Sequence, residues 1–319
     1  MPTSTINKET SKALMPRKAQ SNGIPNKRLE ILKTYKIYIG GAFPRTESGR
    51  YYIAGNNKGE KLANVCLGSR KDFREAVVAA RNASGGWSGR AAFNRGQILY
   101  RIAEMLEGRK AQFIDELIKQ DSTKQEAENE VDLSIDRLIY YAGWCDKFQQ
   151  LNSTVNPVAS SHFNFSVPEP TGVVSIIAPQ QTSLLGLVSV IAPVIAGGNT
   201  CIVLASYAKP LCAVTFAEVL NSSDVPGGVV NILTGKITEL ASYFAEHMDV
   251  NALIFCEDEP DLKKLMQEKG SLNLKRVTFY DKIKWALPEG QSPYLIMDCQ
   301  EIKTTWHPIE NIGGGKSGY

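Results

Sequence analysis

Histidine is the scarcest metal-ligating residue of this 319-residue chain, with three, His162, His247 and His307, and they are widely scattered. So thin a set excludes a histidine-built metal cluster. Six cysteines stand at 66, 145, 201, 212, 256 and 299, and none belongs to a C-x-x-C pair. That spacing argues against both a zinc site and a disulfide framework. Charge of one sign is also lacking, since 36 Lys and Arg against 33 Asp and Glu leave a net charge of +3. No nucleic-acid partner is implied. The first thirty residues are rich in Ser, Thr, Asn, Lys and Pro and contain no apolar run, so neither a secretory signal nor a membrane span is expected. A cytoplasmic protein with no membrane partner is the default. The basic residues of this leader (Lys8, Lys12, Arg17, Lys18, Lys27, Arg28) read as a solvated flexible arm over 1–30 rather than a binding tail.

What the chain does contain is ordinary globular material, 43% hydrophobic and 22% charged, enough for one large domain and a smaller appendage. Ile37 to Gly41, followed by Thr46-Glu47-Ser48-Gly49, predicts an entry hairpin. Ser69 and Asp72 have capping-box spacing before a helix carrying Phe73, Val77, Val78 and Ala80. Further helices are expected at 94–106, 110–120 and 125–148. Ser160 to Val167 alternates like an extended arm.

From Gly172 the rhythm changes. Strands at 173–177, 201–204, 229–233 and 253–256 alternate with helices at 184–196, 211–220, 237–246 and 261–269. This predicts a doubly wound α/β fold with a parallel sheet. Beyond Gly270, the segments Arg276 to Tyr280, Tyr294 to Met297 and Ile302 to Trp306 suggest three short strands of an antiparallel appendage.

Several ordered motifs then resemble one superfamily. Ile39-Gly40-Gly41, Trp87 with Asn94-Arg95-Gly96-Gln97-Ile98-Leu99, Tyr141-Ala142-Gly143-Trp144 and Pro168-Glu169-Pro170-Thr171-Gly172-Val173-Val174 are similar to segments of the NAD(P)-dependent aldehyde dehydrogenases. Ile191-Ala192-Pro193, Ala196-Gly197-Gly198-Asn199-Thr200 and Pro226-Gly227-Gly228-Val229-Val230-Asn231 continue the resemblance. It runs from Tyr38 to about Leu265. It implies a cofactor domain over 31–275, whose hairpin arm 157–170 belongs to an oligomerisation platform, and a remnant over 276–319 holding a C-terminal oligomerisation strand.

The same resemblance implies that the active-site residues are degraded. Where relatives have P-W-N-F-P, whose Asn stabilises an oxyanion, this chain has Pro179-Gln180-Gln181-Thr182-Ser183, so only Gln181 retains a side-chain amide at that place, one methylene longer. The lysine and glutamate that bind the adenosine ribose in relatives are matched by Leu204 and Tyr207. Leucine cannot donate to a hydroxyl. The pyrophosphate turn is replaced by Phe255-Cys256-Glu257-Asp258-Glu259, whose carboxylates would repel a diphosphate. The relatives' catalytic lobe, with its general base and thiol, needs well over a hundred residues after that turn, so the catalytic domain is expected to be absent. Cys299, in Ile296-Met297-Asp298-Cys299-Gln300, is the weak remaining candidate nucleophile, and the usual reading of such a residue is a small buried thiol.

The tail admits two alignments. Glu310 to Ser317 resembles the base-bearing E-L-G-G-K-S, whereas Thr304-Thr305-Trp306 followed by Gly313-Gly314-Gly315-Lys316-Ser317-Gly318 resembles the terminal strand through which relatives contact a neighbouring subunit. The second fits better. Three hypotheses follow. The first is a non-catalytic subunit, with no cofactor expected, forming a homo-oligomer or a hetero-oligomer with a full-length aldehyde dehydrogenase. The second is a residual oxidoreductase using NAD or NADP, Gln181 and Cys299. The third is a small-molecule binder using the old cofactor crevice.

Overall fold

The computed structural model describes residues 31–309, and residues 32–309 lie within one compact unit. The expectations for the leader and for the glycine-rich run 313–315 lie outside the described residues. β1 (Thr34–Tyr35), β2 (Tyr51–Gly55) and β3 (Lys61–Cys66) form a small sheet in the order β1-β3-β2. The expected entry hairpin is corrected here: Tyr38 and Ile39 make only isolated bridges, to Ile232 and Ala42. The physical reason is that Tyr38 exchanges both backbone hydrogen bonds with Ile232, which ties the segment to the main body, while the Ile39–Ala42 exchange closes only a tight turn and no second strand forms over 46–49.

Four helices follow, α1 (Arg70–Ser88), α2 (Ala92–Gly108), α3 (Lys110–Lys119) and α4 (Lys124–Trp144). Both α1 and α4 begin with complete capping boxes, Ser69 with Asp72 and Thr123 with Glu126, which satisfy amides that the first helical turn leaves unpaired. A short helix α5 (Phe148–Asn152) leads into β4 (Thr154–Asn156) and the long β5 (His162–Pro170).

The doubly wound half consists of β6 (Val173–Ile177), α6 (Leu185–Ala196), β7 (Thr200–Leu204), α7 (Leu211–Asn221), β8 (Val230–Leu233), α8 (Ile237–Glu246), β9 (Ala252–Phe255) and α9 (Pro260–Ser271). Its strands are apolar on both faces because helices cover both, and every residue of β6, β7, β8 and β9 is buried. A fifth strand, β10 (Arg276–Phe279), completes an all-parallel sheet in the order β10-β9-β6-β7-β8.

An antiparallel appendage is present as the sheet β11-β5-β4, but this last strand, expected within it, does not belong to it. α9 carries the chain back across the sheet, so the next strand docks parallel to β9 in register Arg276 with Ala252 through Phe279 with Phe255. Tyr294–Met297 is likewise a short helix, α10, and not a strand. Pro293 stands at its N-cap in a helical conformation, and its Leu295 and Ile296 are buried in the core cluster that contains α6. Of the three expected segments, only β11 (Gln300–Pro308) pairs antiparallel, with β5 from Gln300–Pro170 to Pro308–His162, giving the sheet β11-β5-β4.

Candidate functional site

The crevice of an open parallel sheet lies beyond the carboxyl ends of its strands, which here means the loops after β6, β7, β9 and β10. Pro179–Ser183 follows β6. Gln180 is tied down at every polar group: its N–H donates to Glu257 Oε1 at 2.8 Å, its side-chain amide donates to Ala178 O at 2.8 Å, and its Oε1 accepts from the N–H of Tyr207 at 2.8 Å. Its carbonyl accepts from Ser206 Oγ at 2.8 Å. Gln181 turns its amide to the same carboxylate, Nε2 to Glu257 Oε2 at 3.1 Å. The amide that could have received an oxyanion is therefore engaged by a fixed negative group.

Glu257 is half-buried, and burial pushes its carboxyl up while the N–H of Gln180 and the amide of Gln181 pull it down. Glu257 places a carboxylate, bonded to Gln180 and Gln181, at the turn that a diphosphate would have to approach. The amino end of α6 is filled in the same manner. Glu130 Oε1 accepts from the N–H groups of Ser183 at 3.1 Å, Leu184 at 2.8 Å and Leu185 at 3.1 Å. Glu130 thus satisfies three backbone donors at the start of α6, and Glu257 takes one backbone donor, Gln180, together with the Gln181 side-chain amide.

Leu204 ends β7 fully buried in the core formed with Ile177, Leu233 and Phe255. Tyr207 stacks on Tyr52, with ring centroids 4.4 Å apart and planes inclined by 20°, and Tyr52 donates its hydroxyl to Tyr207 O at 3.1 Å. Together they line a cavity of about 460 Å³ beside the loop after β7, which also reaches Ala208 and Lys209. A cavity of about 530 Å³ remains after β6, β9 and β10, lined among others by Gln181, Cys256, Asp258, Tyr280, Ile283 and Trp285.

Cys299 does not reach Gln181. Its carbonyl accepts from Asn199 Nδ2 at 2.9 Å and from the Thr171 backbone at 3.3 Å, both just ahead of their strands, whereas Gln181 lies past the far end of β6. A five-residue strand separates them by roughly 17 Å. Burial pushes the Cys299 thiol up to about 12, with Asp298 adding to the shift, so the thiolate is suppressed.

The sequence reading missed two residues. Arg137 of α4 is a buried guanidinium that donates to Ser189 Oγ at 2.8 Å, to Trp285 O at 2.9 Å and to Gly290 O, holding residues 285–290 against α4 and α6. Tyr141 supports it by donating to Ser292 O at 3.1 Å. Glu130 is the other. The available signal was a charged residue inside an apolar helical stripe, Arg137 between Ile135 and Leu138. Among the described residues no group of His, Cys, Asp and Glu could hold a metal, and no helix is long and apolar enough to cross a membrane.

Comparison with known proteins gives this geometry a lineage. The family model for the aldehyde dehydrogenase family matches residues 45–284. Over 297 residues the chain is 30% identical to the cytosolic 10-formyltetrahydrofolate dehydrogenase of Mus musculus, covering 90% of this chain and 32% of that protein. It is 33% identical over 258 residues to the omega-crystallin of Enteroctopus dofleini, covering 79% of this chain and 51% of that one. The chain thus spans about a third of the first relative's length and half of the second's. An NAD-complexed aldehyde dehydrogenase from Bacillus cereus superposes with a TM-score of 0.73 at 25% identity, over 77% of this chain and 50% of that one. With ordered motifs, sheet order and family match in agreement, the chain belongs to the aldehyde dehydrogenase family.

Proposed function

We propose that this chain is a non-catalytic aldehyde dehydrogenase-like subunit that associates with itself or with an active aldehyde dehydrogenase, in the cytoplasm. One observation carries the reading. Residues 280–299 fold as a compact cap between β10 and β11, and the chain then returns to pair with β5, so no lobe bearing a thiol and a base interrupts it there. The cap is built in, with Arg137 and Tyr141 bonding its carbonyls and Trp285, Leu295 and Ile296 buried in the core.

Three further features support it. Glu130 occupies the backbone donors at the start of α6 and Glu257 engages Gln180 and Gln181, Leu204 and Tyr207 offer a ribose no charged anchor, and Gln181 and Cys299 lie at opposite ends of β6. No cofactor is expected to bind, NAD and NADP included. What such a chain keeps is a stable scaffold and an exposed strand, β11, in which every residue after Gln300 is exposed. An edge of this kind is a pairing surface.

The test mixes the purified chain with a purified full-length aldehyde dehydrogenase from the same organism and follows sedimentation. A complex, or self-association of the chain alone, is expected. A chain that sediments as a monomer and ignores the full-length enzyme refutes the proposal. The 530 Å³ cavity favours a second reading, a binder of small apolar molecules over Trp285, Ile283 and Tyr280. A thermal-shift screen distinguishes the two.

A further inference from the structure

Strand β11 is nine residues long, and among the described residues nothing pairs with its outer edge. Which of its residues address that edge follows from the ladder with β5. Ile309 donates its N–H to Ser161 O at 3.0 Å, so the odd-numbered residues spend their backbone groups on β5. Pro168 and Pro170, which have no N–H, accordingly stand opposite the even-numbered Ile302 and Gln300. The N–H and C=O groups of Ile302, Thr304 and Trp306 therefore point outward. Their side chains share one face of the strand, with Ile302 56% and Trp306 57% exposed.

The sequence of that edge is complementary to its own reversal. Building on the association proposed above, we propose that the partner is a second copy of this chain, joined by antiparallel β11–β11 pairing about a two-fold axis at Thr304. In that register Ile302 faces Trp306 of the copy and Trp306 faces Ile302, Glu301 faces His307, and Lys303 faces Thr305. All outward N–H groups of Ile302, Thr304 and Trp306 find carbonyls, about six new backbone hydrogen bonds. Neighbouring registers are worse for identifiable reasons. An axis at Lys303 sets that lysine against its own copy, and like charges directly opposite are destabilising. An axis at Thr305 sets Lys303 against His307 and places Ile302 opposite Pro308, which has no N–H to offer. Lys303 is meanwhile held by Glu169 on its own β5, leaving Glu301 available for His307 across the axis. The result is a continuous six-stranded sheet with a row of Ile302, Thr304 and Trp306 from both copies on one face.

The test is covalent capture. In a hydrogen-bonded antiparallel pair the two Cα atoms at the axis are about 5.5 Å apart, within disulfide reach. The six native cysteines are all buried, so they do not compete. Under mild oxidation the Thr304→Cys chain is expected to run as a species of twice the 35.1 kDa chain mass, and the Ile302→Cys chain, whose copies are four residues out of register, is not. Thr304→Pro removes an outward N–H while leaving the backbone hydrogen bonds to β5, at the loss of the Thr304 Oγ1–Ser166 Oγ bond that Thr304→Cys also loses, and is expected to shift the native chain to monomer in sedimentation. A dimer that survives Thr304→Pro, with no cross-link at Thr304→Cys, overturns this pairing and leaves the association reading standing. A monomer that binds a full-length aldehyde dehydrogenase does the same. A monomer that binds neither removes both.

Discussion

Arg137→Met tests whether the cap over residues 280–299 is an integral part of this fold. Methionine keeps the length of the side chain within α4 but removes the guanidinium, so Trp285 O and Gly290 O lose the donor that satisfies them inside the protein. An orphaned buried acceptor costs about 1–3 kcal/mol. Against two such losses stands the burial cost of the arginine itself, whose Nε has no partner. The net expectation is a destabilisation of about 3 kcal/mol. For a domain of this size that lowers the thermal midpoint by roughly 5 °C. Urea unfolding followed by tryptophan fluorescence gives the free energy, and limited trypsin digestion reports locally, because Lys282 and Lys284 lie in the cap immediately ahead of the clamped residues 285–290. Cleavage there should accelerate well before the rest of the chain is cut. A loss below about 1 kcal/mol with unchanged cleavage at Lys282 and Lys284 would refute the clamp.

Two other outcomes follow from buried titratable groups. Glu116 is buried with Oε1 accepting from Tyr35 OH at 2.7 Å and Thr215 Oγ1 at 2.8 Å while Oε2 has no partner, and burial raises its pKa above the ordinary 4.5. A raised carboxyl gives stability that is complete below 4.5 and lost as pH rises through the folded value, so Glu116→Gln should flatten that decline in pH-dependent unfolding. An unchanged slope would count against it. Cys299, 1% exposed with its thiol pushed up to about 12, should resist iodoacetamide in the native chain and react only on unfolding. Rapid native alkylation at neutral pH, mapped by mass spectrometry, would restore it as a nucleophile.

Much of the fold was legible because the doubly wound half leaves few options. Val173–Ile177 is a short run, apolar but for the buried Ser175, bounded by Gly172 and Pro179, as fits a strand covered on both faces. β1, β2 and β3 were not, since Tyr51–Gly55 is mostly exposed and Lys61–Cys66 mixes buried Ala63, Val65 and Cys66 with Lys61 and Asn64, so neither carries a clean period. Tyr294–Met297 is four residues, too short for periodicity to separate helix from strand. Arg276–Phe279 was recognised as extended, but its parallel place beside β9 depends on where α9 returns the chain, a tertiary fact. At the site, Gln181 and Glu257 could be named from the motifs they replace. That they hydrogen-bond to each other across 76 positions could not. Arg137 was hidden for the same reason, because its acceptors Trp285 and Gly290 lie about 150 positions away.

The claim that this family member has lost its cofactor chemistry meets its most direct test in calorimetry of the purified chain with NAD and with NADP. With Glu257 across the Gln180 and Gln181 amides and no charged group at Leu204 or Tyr207, titration to millimolar dinucleotide is expected to give no binding heat. A saturable isotherm with micromolar affinity, followed by NADH formation when an aldehyde is added, would contradict the account.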